Sequence, residues 1–514
     1  MRDGRLRRFI GGLSLGYVQM AATIVTGLWM TPFLLRTLGS QDYGLWLLGT
    51  QVLTYLALMD LGVVALVPRE VAAAAGRADA DRSALQGLVG QTARLMLWQL
   101  PAVAVAGAIV VWLMPAEWLA LRWPLALVVL TFVVMFPLRI FSALLQGLQD
   151  LTFLGIVQFG AWAAGVMATL IAAILGWGLY ALAFGWITTQ LVTATVAWRR
   201  LVRRFPDVMP AKLPSLSLAV ARSQLSRGAW ISVSQVAQVL LVGTDIMVIG
   251  KLMGPAAVVP YACTGRLVNM LANQPQMFMQ MALPALSELR ATAPRQRLFE
   301  VSKSMAQVML LFSGWIVVLV LAVNRPFVAW WVGESRFGGL GLTAVLLVTM
   351  ALRHLNATAT YTLFCFGNER RLALTSTADG LVGLIAMFAL VPTFGLYGAA
   401  VGSLLGVAVV SLPNNLRALA KEENSSPKAF LSPLFPWLAR LVWLTTTTML
   451  VLTMWDVRGL PQTAVLGLIV SSLYGAIMLA VVKAPPLGPM LASRLTSLPP
   501  WADVITRVVR PTHV

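Results

Sequence analysis

Two cysteines, Cys263 and Cys365, and two histidines, His354 and His513, are all that 514 residues supply. So few thiols exclude a disulfide framework, and so few soft ligands exclude a metal cluster. No metal and no cofactor is therefore expected. Charge is scarce as well: 11% of residues are charged, with 19 acids against 38 Lys and Arg. Also missing are a P-loop, a GxGxxG turn, any nucleophile–base constellation, and a sizeable loop on the outer side that might carry chemistry. The chain is thus not expected to be an enzyme.

What fills the sequence instead is apolar, 59% of it. Apolar stretches of about 20 residues, each enough to cross roughly 30 Å of hydrocarbon, recur from end to end. Fourteen are recognised, near 11–34, 44–66, 90–113, 121–145, 151–174, 178–198, 229–250, 257–286, 304–324, 338–365, 372–391, 396–416, 434–455 and 462–482. They are continuous, not alternating, which favours helices over a barrel. The first run contains Trp29 and Pro32 and flows straight into the second, so it reads as a membrane helix and not as a cleaved leader.

The net charge of +19 invites a nucleic-acid reading, but its distribution opposes one. With the N-terminus inside, 27 of the 38 basic residues fall in inner segments and six in outer loops. That bias places both termini in the cytoplasm. Basic clusters such as Arg199, Arg200, Arg203 and Arg204 read as topology signals beside anionic lipid, and no nucleic acid is expected as a partner.

The sequence also echoes itself. GLYALAFG at 178–185 returns as GLYGAAVG at 395–402. FLLRTLGSQDYGLW at 33–46 parallels MVIGKLMGPAAVVPY at 247–261, with Gly39 on Gly254, and QGLQD at 146–150 loosely matches CFGNE at 365–369. Echoes in one order at similar shifts predict a duplicated unit. The expected organisation is an all-α polytopic membrane protein of about 14 helices. An N-lobe covers 1–210 (helices 1–6) and a C-lobe 211–420 (helices 7–12). Two extra helices and a cytoplasmic C-tail fill 421–514. Two six-helix lobes share an orientation and suit alternating access around a central cavity. The basic, proline-containing linker at 199–217 separates the lobes, and KEENSSPKAFLSP at 421–433 detaches the last pair.

At this point the chain resembles a family. LLRTLGSQDYGLW, YLALMDLGVVALVPRE at 55–70, TDIMVIGKLMGPAAVVPYACTGRL at 244–267 and LPALSEL at 283–289 are similar to polysaccharide-unit flippases, the Wzx-type members of the multidrug/oligosaccharidyl-lipid/polysaccharide (MOP) exporter superfamily. The resemblance implies a protein of the bacterial inner membrane. It would move a polyprenyl-pyrophosphate-linked oligosaccharide from the inner to the outer leaflet for cell-surface polysaccharide synthesis. Its partners would be that lipid-linked sugar and the bilayer, with a polysaccharide polymerase or chain-length machinery as a candidate. In related lipid-linked peptidoglycan-precursor flippases, a Tyr…Arg-Leu arginine facing the cavity is implicated in substrate handling, and here it matches Tyr261 and Arg266. Those relatives carry arginine in their first helix; this chain has none between Arg8 and Arg36.

The residues carry a reading of their own. Arg266, Asn269, Asn273, Gln276 and Gln280 step by 3, 4, 3 and 4, so they share one sector of about 80° on a helix. The stripe is about 21 Å long. It cannot face lipid: it either packs on polar partners or lines water, and the aqueous reading is favoured because five polar side chains demand many partners in a dry interface. Pro275 is expected to bend that helix. Gln235, Gln238 and Asp245 form a sparser polar side on the preceding helix. Asp245 and Arg266 match in depth, so they form either an ion pair clamping two helices or two separate elements. Arg353 lies too deep to reach a headgroup and needs the cavity or an acid. Asp60 and Asp379 are further buried charge partners. Arg94 and Arg139 sit at the cytoplasmic mouth, where they either snorkel to headgroups or meet substrate. Guanidinium suits a pyrophosphate because it stays charged and binds phosphate oxygens as a fork.

Two rivals remain open at this stage. A MATE-like cation or drug antiporter would use Asp60, Asp245 and Asp379 to hold protons or sodium. A membrane polysaccharide polymerase or ligase would need the catalytic outer loop that the chain lacks.

Overall fold

The computed structural model describes residues 2–75, 82–210, 213–215, 218–292, 294–422, 424–454, 457, 459–485 and 487–488. The C-tail expected beyond 488 lies outside the described residues. Among those described, all regular structure is helical.

The chain opens with α1 (Arg2–Leu56), which is two helices joined at Gly39, where φ is 77° and ψ 173°. A 3-10 turn at Ala57–Asp60 leads to α2 (Val63–Ala75), followed by α3 (Arg82–Trp112), α4 (Leu119–Met135), α5 (Arg139–Gly147), α6 (Leu151–Ile174) and α7 (Tyr180–Arg204). Next come α8 (Leu218–Leu241), α9 (Thr244–Leu252), α10 (Pro255–Thr292), α11 (Arg295–Val332), α12 (Leu340–Cys365), α13 (Glu369–Phe394) and α14 (Leu396–Leu405). A π-helical turn at Gly406–Ser411 continues α14 into α15 (Leu412–Glu422). The short α16 (Pro427–Leu431) precedes α17 (Phe435–Met454) and α18 (Gly459–Lys483).

Eleven helices among the described residues are long and apolar enough to cross a membrane, or twelve if one bent pair counts as a single span. The expected fourteen exceeds this for two physical reasons. The two helices that meet at the Gly39 kink follow each other directly, so the first two runs count as one stretch, Gln19–Leu56. The other is α10, whose polar stripe dilutes its apolar character although it runs 38 residues. Large apolar side chains such as Trp112, Trp123, Ile385 and Met454 are more than 65% exposed, a surface suited to lipid and not to water. The chain is a polytopic membrane protein.

Two compact units emerge: Met1–Val239 with Met253–Val258, and Leu240–Leu252 with Val259–Val514. The two octets and the third echo fall one copy to each unit, while the second copy of the middle echo, 247–261, is divided between them; the copies do the same local work. Gly178 and Gly395, the first residues of the two octets, take φ of 54° and 57°. Gly39 and Gly254 take 77° and 88°. A left-handed φ carries no steric cost for glycine, which is why the duplicated turns keep it. The last glycines of the octets are packing sites. In the first unit α6 and α7 touch where Gly165 meets Gly185, and a Cβ on Gly185 would strike the Thr169 hydroxyl. In the second, α13 and α14 touch where Gly383 meets Gly402; a Cβ on Gly402 would lie 3.0 Å from the Gly383 carbonyl oxygen. The third echo needs a one-residue correction: Gln149, at φ 61°, corresponds to Gly367, at φ 81°, not to Asn368.

The last helix pair is not detached. α17 and α18 share a core with α11 and α12 built from Leu310, Val318, Leu363, Trp437, Leu444 and Tyr474. Buried polar bonds pin the pair: Tyr474 Oη donates to the Leu311 carbonyl at 2.7 Å, and Gln307 Nε2 to that of Val481 at 2.9 Å. A linker rich in Ser, Pro and charge sets chain direction there; it does not set independence.

Candidate functional site

The seventh apolar run is not one helix. It breaks between α8 and α9 with a bend of 52°, at Gly243 with φ 88°. The shared face read for Gln235, Gln238 and Asp245 therefore does not exist, because a period of 3.6 holds only along an unbroken helix. Gln238 is exposed; Gln235 is partly buried, with its Oε1 lacking a hydrogen-bond partner.

The break puts Asp245 in the first turn of α9, where backbone N–H groups point outward and an anion is stabilised. Its Oδ1 accepts from the Ile246 amide at 2.9 Å. Its Oδ2 accepts from the Tyr261 hydroxyl at 2.5 Å. No ion pair joins Asp245 to Arg266 among the described residues; the helix-clamping pair is replaced by a carboxylate–phenol bond between α9 and α10. Arg353, on α12, lies within electrostatic reach of both Asp245 and Tyr261.

Arg353 itself pairs with Asp379 of α13, Nη1 to Oδ2 at 3.6 Å. Its Nη2 donates to the Ser403 hydroxyl of α14 at 3.1 Å. The Ser411 hydroxyl, on the π-helical turn, donates to Asp379 Oδ2 at 2.5 Å. Asp379 is 1% exposed, and its Oδ1 has no hydrogen-bond partner. One pocket of the second unit thus gathers two acids, one arginine, a phenol and two hydroxyls. Beside Arg353, His354 bridges helices by a different route: its Nδ1 meets the Ser313 hydroxyl at 2.7 Å and its Nε2 the Ala272 carbonyl at 3.0 Å.

The first unit has a simpler arrangement. Asp60 sits at the end of the 3-10 turn with Oδ1 accepting from the Gly62 amide at 2.9 Å and Oδ2 lying 3.3 Å from Arg139 Nη2. Arg139 also lies over the Phe132 ring, 5.7 Å from its centroid. Arg139 is held by an acid and a ring, not stretched toward headgroups. Arg94 on α3 is exposed.

The stripe on α10 behaves differently from all of these. The helix runs through Pro275 without a break in its backbone pattern. Val268, Pro275, Met279 and Leu286 are buried on one side, while Asn269, Asn273 and Gln280 are exposed and Gln276 is half-buried on another. The dry-packed alternative for the stripe is not what the structure contains. Arg266, at its head, is partly buried, has no carboxylate partner among the described residues, and leaves its Nε without a hydrogen bond.

Arg336, one of the six basic residues counted in outer loops, also belongs near this end. It is half-buried, donates through Nη1 to the Val332 carbonyl, leaves Nε unpartnered, and shares with Arg266 electrostatic reach of the Cys263 sulfur. Its loop is tied to α10 by the Gly338 amide donating to the Thr264 hydroxyl at 2.7 Å. Ser403 and Ser411 were likewise not read from the sequence. A serine in a membrane helix carries no pattern that names its partner. The only available signal was their place on the helix opened by the second octet. Among the described residues, no group of three or more His, Cys, Asp or Glu is placed to hold a metal.

Comparison with known proteins bears on the fold. A family profile described as "Polysaccharide biosynthesis protein" matches residues 116–333. No curated protein matches the chain. Among solved structures, one titled "Lipid II flippase MurJ, inward closed conformation" is similar with a TM-score of 0.66 at 10% identity, covering 91% of this chain and 99% of that one. An inward-facing multidrug resistance MATE family transporter of the MOP superfamily is similar with a TM-score of 0.55 at 13% identity, over 81% and 99% of the two chains. Its outward-facing counterpart gives 0.52 at 14% identity, over 80% and 94%. At these identities the likeness establishes the fold.

Proposed function

We propose that this protein is a flippase for a polyprenyl-pyrophosphate-linked oligosaccharide, carrying it from the inner to the outer leaflet of a bacterial inner membrane by alternating access. The observation that carries the reading is Arg266. It is an arginine inside an apolar segment with no acid to balance it among the described residues, at the head of a row of amides that are mostly exposed. In hydrocarbon such a face is costly, so it belongs on an aqueous route. A guanidinium without a partner is ready for a phosphate, and neutral amides suit sugar hydroxyls that must later be released. The family profile and the fold of a lipid II flippase support a lipid-linked substrate. In this reading the lobes are 1–210 and 211–420, both termini are cytoplasmic, and Arg94 lies at the inner mouth.

The antiporter reading shares the fold. Against it stands the pairing of its candidate ion-binding acids: Asp60 with Arg139 and Asp379 with Arg353. The deciding experiment is reconstitution in proteoliposomes with a lipid-linked oligosaccharide, with and without imposed gradients. A headgroup carrying about two negative charges gains roughly 4–5 kcal/mol on leaving an interior at −100 mV. Translocation is therefore expected to respond to a valinomycin-set potential alone. Strict dependence on one ion, with no response to potential, would support antiport instead.

A further inference from the structure

The pocket between α9, α10, α12, α13 and α14 has an unusual balance. Asp245 and Asp379 bring two carboxylates; Arg353 pairs with Asp379 and lies within electrostatic reach of Asp245. Tyr261 and Ser411 present their hydroxyls as donors, and Ser403 presents its oxygen to the guanidinium. Asp379 Oδ1 is left over, a buried carboxylate oxygen without a partner. Carboxylate and hydroxyl oxygens converging on one place are what a hard cation seeks, and two carboxylates inside a membrane-spanning region, Asp379 fully buried and Asp245 partly so, demand a counter-charge. Here that counter-charge is attached to the chain.

We infer that Arg353 is a tethered counter-ion, filling the position beside Asp379 and Ser403 that a free monovalent cation would otherwise have to occupy. Three features fit this role. The guanidinium reaches Asp379 and Ser403 from a different helix, so it bridges α12, α13 and α14 as an ion would. It is held at 3.6 Å from the carboxylate and not in a tight fork, so it balances charge without the geometry of a bidentate clamp. The π-helical turn at Gly406–Ser411 brings a hydroxyl and the closely packed Gly406 to the same carboxylate, and such turns widen a helix at specialised positions. A consequence is that the wild-type pocket has no need of an external cation, while a chain lacking the guanidinium acquires one. This inference concerns the pocket alone and stands or falls independently of the substrate proposed above.

The test is thermal unfolding of the purified full-length protein in detergent, in choline chloride and in sodium chloride of equal ionic strength. Wild type is expected to melt at the same temperature in both. Arg353→Met and Arg353→Gln are expected to melt lower in choline and to gain about 2–5 °C in sodium, because a ligand bound only by the folded state raises its stability. The double variant Arg353→Met/Asp379→Asn, with one charge of each sign removed, is expected to regain stability and lose the sodium response. Stabilisation of wild type by sodium as large as that of the variants would overturn the inference, since the pocket would then bind a cation beside its arginine. Single variants that fold but ignore sodium would overturn it too. So would single variants that fail to fold even in sodium, because the ion should replace the missing guanidinium.

Discussion

The second unit handles its membrane arginines in two opposite ways. Arg353 is enclosed: a carboxylate, a serine hydroxyl and a second acid surround it, and its side chain is 22% exposed. Arg266 is left without an acid on a helix whose adjoining amides stay exposed. The same residue type serves the fold in one place and is available for a ligand in the other. The difference teaches that a buried arginine is a functional candidate in proportion to what it lacks. Depth in the membrane alone does not separate the two.

The sharpest way to break this contrast is to measure transport and stability together. Arg266→Ala is expected to lower translocation by more than about 100-fold, as loss of a charged contact made to a phosphate does. The protein should still unfold within about 1 kcal/mol of wild type, because no acid is stranded. Arg266→Lys should recover little, since an ammonium lacks the planar fork. If Arg266→Ala instead unfolds the protein, Arg266 has a structural partner and the contrast disappears.

Arg353 should show the reverse. Arg353→Met leaves Asp379 and Asp245 uncompensated, and breaking a buried pair from one side costs roughly 3–5 kcal/mol. The loss is to be read by unfolding in a sodium-free buffer. A change below about 1 kcal/mol would place Arg353 with Arg266 among the ligand-facing groups.

How far the sequence reveals this contrast follows from what each signal measures. Helix positions and the paired glycine turns were legible because hydropathy and glycine spacing are local: Gly178 and Gly395, or Gly185 and Gly402, do the same job at matching places in the chain. The exposed face of α10 was legible for the same reason, since periodicity describes one helix at a time. Partnerships across helices were not. Asp379 and Arg353 sit on different helices, and Ser403 and Ser411 on the helix after both. The sequence left Asp245 open between a pair with Arg266 and a separate role; Gly243 decides it by breaking the helix, which puts Asp245 in the first turn of α9 and in contact with Tyr261.

The first unit offers a milder version of the enclosed arginine. Asp60 and Arg139 form a one-to-one pair with side chains 4% and 27% exposed. Each single change, Asp60→Asn or Arg139→Gln, is expected to cost about 2–3 kcal/mol, and the double change to restore more than half of it. Additive losses in that cycle would mean that Arg139 is held mainly by Phe132 and solvent, in which case the snorkelling reading of Arg139 returns.

The smallest expected effect falls at Tyr261, and it tests where the boundary between the two arginine environments lies. Tyr261 and Arg266 are five residues apart on α10, yet the tyrosine hydroxyl belongs to the Arg353 pocket through its bond to Asp245. Tyr261→Phe removes one hydrogen bond to a carboxylate, which leaves Asp245 its bond to the Ile246 amide and the field of Arg353. A loss of about 1–2 kcal/mol follows, with translocation reduced less than tenfold. Asp245→Ala should lose more, and adding Tyr261→Phe to it should cost little further, because the bond is already gone. A Tyr261→Phe protein as stable as wild type but as inactive as Arg266→Ala would move Tyr261 out of the pocket and onto the substrate route. The division between an enclosed and an available arginine would then run between α10 and α12, and not along α10 itself.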